Sequence, residues 1–412
     1  MKIFDLENLL FVIEEETGRW GFTEKNNQKL KKLQRDLQDK KFEEKKYEGV
    51  GIFALNTTTE CNLDCIYCST KRQTRVKTLD FGVGKRVVDL VLELEEKDIV
   101  FHGSEPLMDF EVIEKLVRYG RQKEQQSRKR INFSIQTNLS LLPEKVLDFI
   151  KKENIGISTS IDGRFKIHNL TRPYKNGNGS YDDVINGINK VLNFQDGISI
   201  VTVITKHNVN QLSDMVLDFE NKGVTSIQFI PAIPCVDERK FLTTNDELKD
   251  SYINLFDQTI QRLKNGKQKI EVKNLSQYLS SFFFVNSIDA CRQCSPSREH
   301  PLLAVDTNGD VYPCDFFWGE KELVAGNVLK DDLKTIINNQ NNLRFRDINK
   351  TECVSCTWKK LCGGGCLADS YFSKNSTPYY CKTHKAIYSY LVNKIPEMIE
   401  EGLINKILAW VE

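Results

Sequence analysis

From residue 48 to residue 240 the apolar positions keep two alternating rhythms. GVGIFALNTT, DIVFHG, RINFSIQTN, IGISTSID, GISIVTVIT and TSIQFIPAIP are short, rich in β-branched residues and bounded by turn formers, which predicts six strands. Between them GKRVVDLVLELEEK, FEVIEKLVRYGRQKE, LPEKVLDFIKKEN, YDDVINGINKVLNF and VNQLSDMVLDFENKG repeat their apolar residues with the period of a helix. Strands alternating with helices imply a parallel sheet with outer helices. Six such units predict an α/β partial (β/α)6 barrel, two units short of a closed one.

The flanks read differently. In residues 1–47, KIFDLENLLFVIEEETGRWGFT has β-rich ends around a polar turn at Glu15 to Gly18, which predicts a hairpin. EKNNQKLKKLQRDLQDKKFEEKKY follows as a charged helix whose basic residues form a solvated face. Residues 241–290 predict a helical bridge, with the long helix NDELKDSYINLFDQTIQRLKNGK and a linker. Residues 291–384 are cysteine-rich, and residues 385–412 form a final helix that Pro396 is expected to break or kink.

Composition narrows the class. The chain of 412 residues is too long for one core. Its 58 basic and 57 acidic residues exert no net pull toward nucleic acid or an anionic membrane. Apolar runs such as LLFVI are far shorter than a membrane span, and MKIFDLENLLF lacks the layout of a signal peptide, so a cytoplasmic location is expected. In a reducing compartment 12 cysteines are not a disulfide framework, and their clustering points to metal. Three lie at 61–68, one at 235 and eight between 291 and 381.

The motifs stand where strands end, which is where α/β barrels place their chemistry. TECNLDCIYCST follows strand one, HGSEP ends strand two, QTN strand three and SID strand four. Three local thiolates, Cys61, Cys65 and Cys68, can hold a four-iron cluster by three irons and leave the fourth open. Cys61-x3-Cys65-x2-Cys68, with Tyr67 before the last cysteine, resembles the signature of the radical S-adenosylmethionine (SAM) enzymes. The resemblance implies that SAM chelates the open iron and that its one-electron cleavage yields a radical that takes hydrogen from a substrate. Gly103-Ser104-Glu105-Pro106 resembles the Gly-Gly-Glu-Pro segment that receives the SAM amino group, with Ser104 replacing a glycine. Gln136-Thr137-Asn138 resembles the segment after strand three, and Ser160 and Asp162 lie in one near the SAM ribose and carboxylate. Arg172 matches an arginine that pairs with that carboxylate, a task suited to a guanidinium.

The second cysteine field runs Cys294-x14-Gly309-x4-Cys314, then Cys353-x2-Cys356-x5-Cys362-x3-Cys366 and Cys381. Its spacing alone also permits zinc. It resembles the SPASM auxiliary domain of peptide-modifying radical SAM enzymes. With Cys291 as an eighth ligand, the resemblance implies two auxiliary [4Fe-4S] clusters. One is held by Cys291, Cys294, Cys314 and Cys366, the other by Cys353, Cys356, Cys362 and Cys381. Cys235 is left over, either as a buried inert thiol or as a group near the substrate. Asp315 follows Cys314, as in anaerobic sulfatase-maturing enzymes, where an aspartate there is assigned as a general base; it is otherwise a capping residue.

Two enzyme readings follow. One is a maturase that crosslinks a ribosomally made precursor peptide by a thioether or carbon–carbon bond. The other converts a sulfatase cysteine or serine to formylglycine. Residues 1–47 tilt toward the first, because a hairpin with a free edge can hold a leader peptide by strand addition, although the piece is shorter than a full leader-binding module. A flavodoxin or ferredoxin is the electron donor by analogy. An iron–sulfur electron carrier would have no use for SAM-site residues on four strand ends.

Overall fold

The computed structural model describes residues 1–16, 18–38, 52–72, 77–93, 98–235, 239–283, 302–345, 351–374 and 377–410. At the start of the chain β1 (Lys2–Asp5), β2 (Leu9–Ile13) and β3 (Trp20–Glu24) form an antiparallel meander. The expected hairpin is β2–β3, closed by a hydrogen bond from Glu14 N–H to the Arg19 carbonyl. The added strand β1 is too short to carry an alternation of its own and is defined by pairing with β2 from Lys2–Ile13 to Asp5–Leu10. The helix α1 (Asn27–Gln38) follows, with Asn26 accepting from the N–H groups of Gln28 and Lys29.

Six parallel strands follow: β4 (Ile52–Asn56), β5 (Asp98–His102), β6 (Asn132–Thr137), β7 (Gly156–Ser160), β8 (Ile198–Ile204) and β9 (Val224–Pro231). Each pairs with the next in sequence. The outer layer is α2 (Phe81–Glu93), α3 (Phe110–Ser127), α4 (Glu144–Glu153), α5 (Phe165–Thr171), α6 (Tyr181–Leu192) and α7 (Leu212–Glu220). Strand residues such as Ile99, Phe101, Ile135, Ile157 and Ile200 are fully or almost fully buried against helix residues such as Val87, Ile113 and Val184, as a parallel sheet covered by helices requires.

The sheet does not stop at six strands. Helix α8 (Asn245–Lys264) opens on a capping box between Thr244 and Glu247. Where a linker is expected after it, β10 (Glu271–Val272) pairs parallel with β9 and leads into α9 (Lys273–Phe283), a seventh β/α unit. At the other edge β11 (Leu302–Val305) pairs parallel with β4, followed by antiparallel β12 (Asp310–Tyr312) and β13 (Gly326–Asn327). The result is one sheet of 10 strands, ordered β10-β9-β8-β7-β6-β5-β4-β11-β12-β13. The first part of the cysteine-rich region therefore continues the barrel sheet.

Pro396 does not break the last helix. Cys381–Glu400 runs through it without interruption, and the chain turns at Gly402, whose φ is +63°. Ile395 and Met398 are fully buried on either side of the proline, so packing outweighs the lost hydrogen bond. Tyr390 and Lys394 on this helix both reach Asp257 on α8. Among the described residues no helix is long and apolar enough to cross a membrane.

Candidate active site

The three N-terminal cysteines lie on the loop after β4. Thr57 N–H binds the His102 carbonyl at 3.1 Å, which ties the loop to the end of β5. Asp64 N–H reaches Pro173 at 2.8 Å and Ile66 N–H reaches Thr171 at 3.0 Å, which ties it to the segment after α5. The sulfur of Cys61 faces two donors, Leu63 N–H at 3.4 Å and the Asn138 carboxamide at 3.9 Å. Burial pushes the Cys61 thiol up to about 12 and raises Cys65 further. Such thiols ionise only against strong positive charge, which the iron of a cluster supplies. The donor set fits that group.

Glu105 closes the floor. It has no exposed surface, and its carboxylate accepts from Thr137 Oγ1 at 2.6 Å, Asn138 N–H at 2.7 Å and Leu107 N–H at 3.0 Å. Burial still raises its pKa against those three bonds. Asn138 also donates to Asn62 on the cysteine loop at 2.9 Å, so the ends of β5 and β6 and the loop share one network. Gln136 Nε2 donates to Ser160 Oγ at 3.1 Å across β6 and β7. Pro106 is buried at the start of the turn that Glu105 caps, and Gly103 takes φ +123° just before it. Ser104 Oγ and His102 Nδ1 are buried and make no hydrogen bond among the described residues. Two unfilled polar atoms at the barrel mouth fit a polar ligand there. His102 was not singled out from the sequence; its place directly before Gly103 at a strand end was the available signal.

Tyr67, Asp162 and Arg172 come together as one buried brace. Tyr67 Oη and Thr171 Oγ1, the latter at 2.9 Å, donate to Asp162 Oδ2, and Arg172 Nε lies 3.0 Å from the same oxygen. Val203 N–H fills Asp162 Oδ1 at 3.0 Å. The Arg172 guanidinium lies over the Tyr67 ring at 5.4 Å. Burial raises the Tyr67 phenol well above its ordinary value, so it stays a donor to Asp162. Arg172 holds its place because α5 ends immediately before it, a short helix that the sequence reading left out.

In the second field Cys353, Cys356, Cys362 and Cys381 line one cavity that is partly open to solvent. Gly363, Gly364 and Gly365 all take positive φ, at 64°, 93° and 76°. That turn sends Cys366 away from Cys362. Cys366 caps the short helix Leu367–Ser373 and packs with Tyr312 and Cys314. The structure thus separates Cys366 from the other four. Cys291 and Cys294 lie outside the described residues. A zinc ion would draw its thiolates to about 2.3 Å from one centre; among the described residues no three candidate ligands close to single-ion geometry. Asp315 Oδ1 stands 3.0 Å from Cys314 Sγ. Cys235 is buried four residues beyond β9, in the same cluster as Cys314 and 3.9 Å from the Tyr67 carbonyl, between the two cysteine fields.

Comparison with known proteins agrees with this geometry. Residues 55–219 match the radical SAM superfamily, and residues 294–357 match the SPASM iron–sulfur cluster-binding domain. An uncharacterized protein of Methanocaldococcus jannaschii is 32% identical over 310 residues, which cover 75% of this chain and 96% of that protein. A cysteine-type anaerobic sulfatase-maturating enzyme of Clostridium perfringens is 27% identical over 357 residues, covering 80% of this chain and 93% of the enzyme. The solved structure of native anSMEcpe with bound AdoMet and Cp18Cys peptide superposes with a TM-score of 0.73 at 24% identity, over 87% of this chain and 100% of that one.

Proposed function

Because the chain belongs to the radical SAM superfamily and carries a SPASM domain, we propose that this maturase acts on a ribosomally made precursor peptide and closes an intramolecular thioether or carbon–carbon crosslink. The single observation that carries the peptide reading is the N-terminal meander. Its strand β1 pairs only with β2 among the described residues, so its outer edge is open for a leader segment to add as a further strand. The superposed anSMEcpe chain is covered in full while part of this chain is left over, so this chain has material beyond that scaffold.

When bound, the cluster and SAM supply the one-electron chemistry that removes a hydrogen atom from the peptide. The chain's own part is placement. Cys61, Cys65 and Cys68 hold the cluster, while Glu105, Thr137 and Asn138 fix the strand ends around it. Ser104 Oγ, His102 Nδ1 and Asn56 Oδ1 are buried without a hydrogen-bond partner among the described residues and would be available to the SAM amino end. Arg172 is held by its ion pair with Asp162 at 3.0 Å, and its guanidinium would meet the SAM carboxylate. Gln136 and Ser160, hydrogen-bonded to each other, would lie on the ribose side of the bound SAM. Cys291, Cys294, Cys314 and Cys366 hold one auxiliary cluster, and Cys353, Cys356, Cys362 and Cys381 the other. A flavodoxin or ferredoxin delivers the electrons.

A second reading, formylglycine formation on a sulfatase, is favoured by Asp315, whose carboxylate stands beside Cys314 as a proton acceptor, and by the Clostridium perfringens relative. The two separate in one experiment on anaerobically reconstituted protein. It should carry about twelve irons per chain, four for each cluster. With SAM, a reductant and a cysteine-rich precursor peptide, the product should lose a hydrogen pair and show a fragmentation gap that marks a ring. An aldehyde on a Cys-x-Pro-x-Arg peptide, with the precursor untouched, would replace the crosslinking reading with the second one.

A further inference from the structure

We propose that His384 donates an Nε2–H hydrogen bond to the cluster held by Cys353, Cys356, Cys362 and Cys381, and that Tyr278 fixes the imidazole tautomer that makes it a donor; this rests on the reading of those four cysteines as one ligand set. His384 follows Cys381 by three residues on the helix Cys381–Glu400, so the two side chains share a face. Both line the same cavity as the other three cysteines. The ring is anchored from behind, with Nδ1 2.6 Å from the Tyr278 hydroxyl. Tyr278 is buried on α9, and its ring is packed edge-on against Tyr252, Phe256 and Tyr388, which fixes the direction of that hydroxyl.

A phenol is the stronger acid of this pair, so the hydroxyl donates to Nδ1 and the ring proton stands on Nε2. A doubly protonated ring carries that proton too, so the donor does not depend on pH. With Nδ1 engaged by Tyr278, Nε2 is the ring nitrogen left for a partner in the cavity that His384 lines. An N–H aimed at a cluster sulfur or a ligating thiolate stabilises the reduced, more negative cluster and raises its reduction potential. His384 is therefore a tuning residue, acting on the cluster and not on the peptide.

The test uses full-length reconstituted protein in which Cys61, Cys65 and Cys68 are replaced by alanine, so that only auxiliary clusters remain. Redox titration followed by EPR should give two steps, and His384→Leu should move one of them to lower potential with the iron content unchanged. Its Fe–S stretching bands in resonance Raman should shift as well. His384→Gln, which keeps an N–H near the Nε2 position, should restore most of the change. Tyr278→Phe, which keeps the buried ring, should move the same step in the same direction by less, and it carries the test should His384→Leu fail to load iron. Unchanged potentials and bands at full iron content in both His384→Leu and Tyr278→Phe would overturn the inference. So would a strongly coupled nitrogen in pulsed EPR of the parent protein, which would make the imidazole a ligand. A parent with iron for only one cluster would instead overturn the ligand set.

Discussion

Asp162 has no exposed surface, and its two oxygens meet Tyr67, Thr171, Arg172 and the Val203 amide. Its own N–H points at Nδ1 of His168, whose Nε2 lies 3.1 Å from Ser180 Oγ. Burial lowers the His168 pKa from 6.5 to about 4. Between those values the unfolded chain binds more protons than the folded one. Stability from this residue is therefore complete above about 6.5, falls as the pH drops toward 4 and levels off below. The gap corresponds to roughly 3 kcal/mol at most. His384, lowered to about 4 by burial, acts with the same sign. His168→Asn keeps an acceptor for the Asp162 amide and removes one of these two contributions. Urea unfolding at pH 7 and pH 5 should show a smaller loss in the variant than in the parent, and equal losses would exclude His168 as a titrating brace. At this scale the sequence showed which residues are polar at strand ends. It did not show that Tyr67 and Arg172 both converge on Asp162, because α5, which presents Arg172, is too short to leave a periodic signal.

Gly103 shows how closely two elements of the fold approach. A Cβ there would stand 2.3 Å from Asn56 Oδ1 and 3.1 Å from the Thr58 carbonyl, at φ +123°. The end of β5 thus meets the Asn56 side chain at the end of β4 and the backbone of the cysteine loop at Thr58. Gly103→Ala combines that clash with a strained backbone costing about 1–3 kcal/mol. It should lower the urea midpoint and the iron held at Cys61, Cys65 and Cys68. Gly177→Ala is the control, with φ +86° and nothing within 4 Å, and it should lower the midpoint less while leaving that iron in place. Equal effects would mean that close approach at Gly103 does not shape the loop. The six long strands were legible because each carries its own run of apolar residues. Strands β1, β10 and β13 were not, since two to four residues hold too little pattern and exist as strands only through a partner's edge.

Across the whole molecule, the N-terminal meander is docked rather than tethered. Trp20 Nε1 donates to the Phe282 carbonyl at 2.5 Å and its ring meets Phe282 and Phe283 edge-on, while Phe4 stacks on Trp358 at 5.2 Å. Trp358 in turn lines the cavity of Cys353, Cys356, Cys362 and Cys381. Trp20→Ala should destabilise this docking by less than the ~3–5 kcal/mol of a fully buried tryptophan, because Trp20 is half-buried. Hydrogen exchange in residues 2–24 should then quicken, and precursor-peptide affinity should fall while SAM affinity holds. Undiminished peptide binding would detach the sheet from substrate recognition. The sequence by itself determined the β/α alternation, the barrel class and the cysteine, Gly-Ser-Glu-Pro and Gln-Thr-Asn motifs, because period and spacing are local properties of a chain. Only the tertiary structure decided that the cysteine-rich region extends the barrel sheet through β11. The same is true of the continuous helix through Pro396 and of the glycine turn that parts Cys366 from the other four cysteines. Those outcomes depend on which surfaces meet, and burial between distant segments outweighs what each segment prefers alone.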